Sequence, residues 1–227
     1  MTTTDAPVFA GRTAAHLPRT RGARWGAWLL AVSPAYFVLF IATSLGVLAA
    51  NAIPPFNEIT REQMDAIRLG WIVISILFPL AFILGTIGVV LLAAALARLG
   101  GAPRVWAWVA VVVGAVSIAL FLPYAAFRIA AMGFTEQRLG DNEWYSFWEP
   151  AGYVGNHAAL AALALLCVAL FVGARIRTAS LIIGALAVAF LIAGIAQLLL
   201  PPFIISFLWC ALGVVWLRSI RRRPAES

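Results

Sequence analysis

Residues 70–97 read GWIVISILFPLAFILGTIGVVLLAAALA, a continuous stretch without one charged side chain. The hydrocarbon core of a bilayer is about 30 Å thick, and about 20 apolar residues in an α-helix are enough to cross it. Because backbone N–H and C=O groups find no water inside lipid, a helix is the form that satisfies them. The strict alternation of a barrel strand is absent. The stretch therefore predicts a transmembrane helix.

Five further stretches share this length and apolar character. They are Trp25–Ala50, Val105–Ala130, Gly152–Gly173, Ala179–Leu200 and Phe203–Leu217. The first is too long for a signal-peptide core of about 7–15 residues. The last is short, and the preceding Pro201-Pro202 turn places its start at the interface. The sequence thus predicts an all-α, polytopic bundle of six transmembrane helices over residues 25–218, between basic tails at 1–24 and 219–227.

The composition excludes several other classes of protein. Of the residues, 63% are hydrophobic and 11% are charged, and the mean hydropathy is +0.98. Soluble domains have about 45–50% apolar and about 25% charged residues, so a soluble domain or nucleic-acid-binding module is excluded. All 16 basic residues are arginine, which excludes a lysine nucleophile. Cys167 and Cys210 lie in apolar runs, which is typical of small buried hydrophobes. Neither a metal nor another cofactor is expected.

Arginine is distributed unevenly between the two sides of the predicted bundle. The amino tail, the 98–104 turn, the 174–178 turn and the carboxyl tail carry 12 arginines and two acidic residues. The 51–69 and 128–151 segments carry 4 arginines and 7 acidic residues. The positive-inside rule therefore predicts that both termini are cytoplasmic. High arginine and alanine content is typical of a GC-rich bacterial genome, so we expect the bacterial plasma membrane.

The tryptophans fit two interfacial belts on this topology. Trp25, Trp28, Trp106, Trp108 and Trp216 fall at the cytoplasmic boundary, and Trp71, Trp144 and Trp148 fall at the outer one. Tryptophan is enriched at both membrane–water interfaces because its ring is apolar and its N–H is polar. Only Trp209 lies well inside a predicted span, so a belt explains most tryptophans without a ligand cage.

Polar side chains from several spans fall at the outer level of the bundle. At 1.5 Å per residue, His157 lies about 27 Å above Arg175 and Arg128 lies about 36 Å above Arg104. The candidate ligand-binding residues at this level are Asn51, Tyr124, Arg128, Trp148, Asn156 and Gln197. They predict an outward-facing polar pocket, unless they are ordinary polar residues of the interface. Residues 128–151 are expected to form a lid over such a site or an interfacial anchor.

Candidate catalytic residues are Glu149, His157 and Asp65. His157 is expected to pair with Glu149 if the helix continues through Pro150, to bond to Asn156, or to be a satisfied structural histidine. The spacings H-x-x-x-H and E-x-x-H are absent, so no metal site is predicted.

Three functions remain open. The first is a membrane protein that binds or transports a small or lipid-like ligand from the outer side. The second is an integral-membrane enzyme acting on an isoprenoid or lipid by acid catalysis, as terpene cyclases do, with aromatic rings stabilising positive charge. The third is an accessory subunit of a larger membrane complex. The cytoplasmic turns are too short for a catalytic domain, so an ATP-driven machine needs a partner chain.

Several cues concern packing. Pro34, Pro79 and Pro123 lie inside predicted spans, where each removes a backbone hydrogen bond and permits a kink. Alanines at 158, 159, 161, 162 and 164 give the fourth span a small-residue surface, which predicts a central position. Gly85, Gly88, Gly184 and Ala187 are expected to allow close approaches of the second and fifth spans. Thr60 and Gln63 have the spacing of a capping box, within a short helix starting at Asn57.

Four short motifs resemble a family of small six-helix bacterial membrane proteins of unknown function. They are Ala66-Ile-Arg-Leu-Gly70, Leu96-Ala-Arg-Leu99, Gly155-Asn-His157 and Ile182-Ile-Gly-Ala-Leu186. After the histidine this chain has alanines where the family pattern has aromatic residues. The resemblance implies the six-helix fold and no activity.

Overall fold

The structure, a computed structural model, describes residues 17–55, 59–133, 143–173, 175–196 and 203–221. These residues are almost entirely helical. The helices are α1 (Arg21–Ala31), α2 (Ser33–Ala50), α3 (Arg61–Ala97), α4 (Pro103–Ala130), α5 (Glu143–Val172), α6 (Arg177–Ile195) and α7 (Ile204–Arg221), with a short 3₁₀ helix at Ala131–Gly133. Within the described residues, six helices are long and apolar enough to cross a membrane, as the sequence predicts.

The first predicted span is divided into two helices at Val32. Pro34 has no N–H, so the carbonyl of Leu30 lacks its usual helical donor four residues on. The hydroxyl of Ser33 donates to that carbonyl at 2.7 Å instead. The prediction of one continuous helix over Trp25–Ala50 was wrong, because the proline permits a break that the neighbouring serine satisfies.

The second span begins earlier than its apolar stretch. The hydroxyl of Thr60 accepts from the amide of Gln63, and the Gln63 side chain accepts from the amide of Thr60, which confirms the capping box. Helix α3 then runs unbroken through Pro79. Asn57, the predicted start of a separate helix, lies outside the described residues.

The outer segment before the fourth span is partly helical. Residues 143–150 belong to α5, which continues through Pro150. Helix α4 ends at Ala130, the predicted end of the third span, whereas α5 starts at Glu143, earlier than the predicted start of the fourth span at Gly152. Residues 134–142 lie outside the described part of the chain.

Successive spans pack antiparallel. Gly114 of α4 lies against Val90 of α3, and Phe121 of α4 stacks on Phe82 of α3 with ring centroids 4.6 Å apart. Gly155 of α5 contacts Phe121 in the second half of α4, and Gly173, directly after α5, contacts Pro103 at the start of α4. Helices α3 and α5 are the most buried spans: 50% and 56% of the residues in their most apolar stretches are buried inside the protein. The corresponding values for α2 and α6 are 11% and 17%. The predicted central position of the fourth span, α5, is confirmed, and α3 shares it.

Small residues mark the closest helix crossings, as predicted. Gly26 of α1 faces Gly88 of α3, where an added Cβ would be 2.9 Å from the Gly88 carbonyl oxygen. Gly184 of α6 faces Cys167 of α5, where an added Cβ would be 2.9 Å from the cysteine Cβ. In a membrane, helices associate by packing, and small residues let two backbones approach.

Two tryptophans assigned to the belts lie inside the protein instead. Trp71 is 5% exposed and Trp216 is fully buried. Both predictions were wrong because depth along a helix does not determine which face of the helix a residue occupies. Trp25, Trp28, Trp106 and Trp108 are exposed large side chains, which fits a belt. The side chains of Trp144 and Trp148 lie outside the described part of the structure.

Candidate functional site

Arg128 and Tyr124 form one polar cluster at the end of α4. The guanidinium of Arg128 donates to the hydroxyl of Tyr124 at 2.9 Å, one helical turn away. It also stacks on the ring of Trp71, with Cζ 4.6 Å from the ring centroid, and the indole N–H donates to the Arg128 carbonyl at 2.8 Å. A cation over an aromatic face gains about 0.5–2 kcal/mol. These contacts fix a positive charge between α3 and α4.

Helix α5 closes this cluster from the other side. Gly152 lies against the Tyr124 ring, where an added Cβ would be 2.5 Å from Cε2. One turn deeper, the hydroxyl of Ser117 on α4 donates to the Gly155 carbonyl at 2.8 Å. Tyr124 is 7% exposed as a result. The two glycines and the serine therefore set the distance between α4 and α5 at the level of the cluster.

His157 belongs to a second cluster, between α5 and α6. Its Nδ1 lies 2.7 Å from the backbone carbonyl of Tyr153 on the preceding turn, and the two rings lie 4.1 Å apart. The Tyr153 hydroxyl donates across to the carbonyl of Gly194 on α6. The histidine ring rests directly on Gly194, which has no side chain to displace it. His157 forms neither of the predicted pairings, with Glu149 or with Asn156, and its Nδ1 contacts the Tyr153 carbonyl instead.

Two adjacent residues of α5 carry polar atoms without a partner. Asn156 Oδ1 and His157 Nε2 are both shielded from solvent and accept no hydrogen bond. The Tyr153 carbonyl can only accept, so Nδ1 of His157 carries the proton. In the tautomer with its single proton on Nδ1, Nε2 is an acceptor, as is the amide oxygen of Asn156. Such atoms are rare inside proteins, since each costs about 1–3 kcal/mol when unbonded.

The two clusters lie at one level on different faces of α5. Gly152 contacts the Tyr124 cluster on α4, while the next residue, Tyr153, reaches α6. Successive helical residues are about 100° apart, so the backbone of α5 stands between the two clusters. Tyr124 and Arg128 therefore lie against one face of α5, and His157 lies on another face at a similar level of the bundle.

The other predicted site residues are exposed or lie outside the described residues. Asn51 is exposed at the end of α2, and its side chain donates to the Val47 carbonyl at 2.8 Å. Asp65 on α3 and Glu149 on α5 are exposed. Gln197 and the side chain of Trp148 are not among the described parts. Within the described residues no group of three or more His, Cys, Asp or Glu side chains could hold a metal ion.

Sequence reasoning missed two residues of these clusters. Tyr153 lies four positions before His157, a spacing that places both rings on one helix face, and this spacing was a usable signal. Trp71 is distant in sequence from Arg128, and nothing local links them. Its role follows only from the antiparallel packing of α3 and α4.

No protein-family model, curated protein or solved structure matches this chain. The resemblance to small six-helix bacterial membrane proteins therefore stays a prediction.

Proposed function

We propose that the chain is a multi-pass protein of the bacterial plasma membrane that binds or transports a small or lipid-like ligand at the outer end of α5. The observation that carries the proposal is the pair of shielded, unpartnered acceptors Asn156 Oδ1 and His157 Nε2. Neighbouring residues that both lack a donor indicate a place where a ligand supplies the missing hydrogen bonds.

The chemistry of the two acceptors defines the headgroup of the ligand. A group that donates hydrogen bonds, such as a hydroxyl or an ammonium, fits an acceptor of this kind. The outward face of α6 beside them is apolar and exposed at Leu186, Ile192 and Ile195. An acyl chain lies favourably along such a face. The ligand class is therefore an amphiphile with a hydroxyl or ammonium headgroup.

A ligand reaches these atoms when the outer end of α6 separates from α5. Gly194 now covers Nε2 of His157, and the Tyr153 hydroxyl holds the Gly194 carbonyl. Helix α6 is only 17% buried, so it has fewer contacts to lose than α3 or α5. A donor on the ligand then replaces the contact of His157 with Gly194.

The alternative of acid catalysis has less support. Asp65 and Glu149, the acids proposed to protonate an isoprenoid or lipid, occupy exposed positions. The orientation assumed here, with both termini in the cytoplasm, rests on the arginine asymmetry of the sequence.

The test uses Asn156→Leu, which keeps the side-chain shape and removes the acceptor. Replacing an unpartnered polar group by an apolar one of similar shape is nearly neutral for folding. Purified protein is heated with monooleoylglycerol, phosphatidylethanolamine or dodecylamine added to the detergent. We expect at least one probe to raise the unfolding temperature of the wild type by several degrees, because a ligand stabilises the state that it binds.

The same probe should leave Asn156→Leu unchanged. Ser44→Ala, which removes a hydroxyl bonded within its own helix, should respond like the wild type. Equal responses of the wild type and Asn156→Leu, or no response to any of the three probes, would overturn the proposal.

A further inference from the structure

One end of the bundle carries positive charge without any described carboxylate. The described arginines there are Arg19, Arg21, Arg24, Arg98, Arg104, Arg175, Arg177, Arg218 and Arg221. All four described acidic residues, Glu62, Asp65, Glu143 and Glu149, lie at the opposite end. Neutralising charge for the arginine end must therefore come from outside the described part of the protein.

Helices α1, α4 and α6 begin at this end. Each has arginine in its first turn, a position where an acidic residue is favoured. A helix N-terminus carries a partial positive charge, so Asp or Glu in the first turn is stabilising and arginine is not. None of the three helices has an acidic residue in its first turn, whereas α3 and α5, which start at the other end, have Glu62 and Glu143. The arrangement is unfavourable unless an anion is bound nearby.

The turn between α5 and α6 concentrates this charge. Ile176 has a left-handed backbone with φ 40°, and no side chain caps the start of α6. Arg177 lies over the ring of Phe171, with Cζ 6.0 Å from its centroid. Gly173 packs on Pro103, where an added Cβ would be 3.5 Å from Cγ, so the turn contacts the start of α4, in which Arg104 follows Pro103.

Arg175 is the least solvated of these arginines. It is partly buried, whereas the other eight are exposed. Its Nε and Nη1 atoms are shielded from solvent and have no hydrogen-bond partner. Burial lowers the pKa of Arg175, because the charged guanidinium is deprived of water. A desolvated cation without a counter-charge is costly, and an anion within reach of its remaining N–H groups offsets that cost.

We propose that the arginine end binds the phosphate groups of anionic phospholipids, with Arg104, Arg175 and Arg177 forming the tightest contact. Guanidinium groups match phosphate geometry and donate several charge-assisted hydrogen bonds to it. Basic clusters next to transmembrane helices recognise anionic headgroups, and each arginine near the surface contributes about 1 kcal/mol. This site is at the opposite end from the proposed ligand site and does not depend on it.

The experiment measures bound lipid on the intact protein. Purified full-length protein in detergent is equilibrated with equal amounts of phosphatidylglycerol and phosphatidylcholine, and the retained lipids are counted by native mass spectrometry. We expect the wild type to retain phosphatidylglycerol preferentially. The double variant R175Q/R177Q should lose affinity for it by about fivefold for each arginine removed, the factor equivalent to about 1 kcal/mol.

The matched control is R61Q/R68Q, which removes the same charge from exposed positions at the other end of α3. It should retain phosphatidylglycerol as the wild type does. Equal retention by the wild type and R175Q/R177Q, or an equal loss in both double variants, would overturn the proposal. Displacement of the lipid by inorganic phosphate at an equal concentration would also overturn it, because the site would then favour free phosphate over the lipid headgroup.

A second variant keeps the test decisive if R175Q/R177Q does not fold. R98Q/R104Q changes two exposed residues of the neighbouring turn. It should fold normally, as judged by its unfolding temperature, and should also lose phosphatidylglycerol. Full retention by that variant would contradict the proposed cluster.

Discussion

Individual glycines determine how closely the helices approach one another. Gly85 of α3 lies directly beneath the ring of Trp209, which is fully buried and rests on the edge of Phe82. Trp209, the one tryptophan that no belt explains, is therefore a packing residue between α3 and α7. Its position in the core depends on the missing Cβ of Gly85.

We expect Gly85→Ala to destabilise the protein by about 1–3 kcal/mol, because the rigid Trp209 ring has no room to move away from an added methyl group. The unfolding temperature in a mild detergent measures this loss. Gly46→Ala is the matched control, since nothing lies within 4 Å of the position of its Cβ and alanine favours the helix. Similar changes in unfolding temperature for both variants would show that the packing of Trp209 does not depend on the missing Cβ of Gly85.

At the scale of helices, hydropathy predicted the number and approximate positions of the spans because length and apolarity are local properties. The ends were predicted less well. Helix α3 starts at Arg61, where a capping box begins the helix before its apolar stretch, and α5 starts at Glu143, also before its apolar stretch. Pro34, Pro79 and Pro123 look alike in the sequence, yet only Pro34 lies next to a helix break.

The candidate site was predictable in depth but not in direction. Counting residues along each span placed Tyr124, Arg128, Asn156 and His157 at one level. Which face each side chain occupies depends on the neighbouring helices, and one sequence does not specify helix rotation. The contact of Arg128 with Trp71 therefore could not be predicted from the sequence.

The register of α5 against α6 can be tested directly at Cys167. A cysteine at Gly184 would have its Cβ 2.9 Å from the Cβ of Cys167, close enough for a disulfide after a small shift. In a Cys210→Ser background, Gly184→Cys should form an intramolecular disulfide on mild oxidation, seen as a mass loss of about 2 Da and protection from alkylation. Ala185→Cys, on the exposed face of α6, should not. The reverse pattern would contradict this packing.

The whole molecule is polarised along its axis. Antiparallel packing gathers the starts of α1, α4 and α6 with the ends of α3, α5 and α7 at one end. That end carries arginines without described acids, while the other end carries mixed charge and both polar clusters. The two proposals therefore place lipid anchoring at one membrane surface and ligand binding at the other.

Charge asymmetry of this size predicts the orientation, because arginine-rich turns are retained on the cytoplasmic side. Single cysteines are introduced at exposed positions in a chain whose Cys167 and Cys210 are replaced by alanine. A membrane-impermeant maleimide should label Arg61→Cys and Glu149→Cys in spheroplasts. Arg98→Cys and Arg177→Cys should be labelled only after lysis. Labelling of the second pair in intact spheroplasts would show the opposite orientation. The unpartnered acceptors of Asn156 and His157 would then lie on the cytoplasmic side.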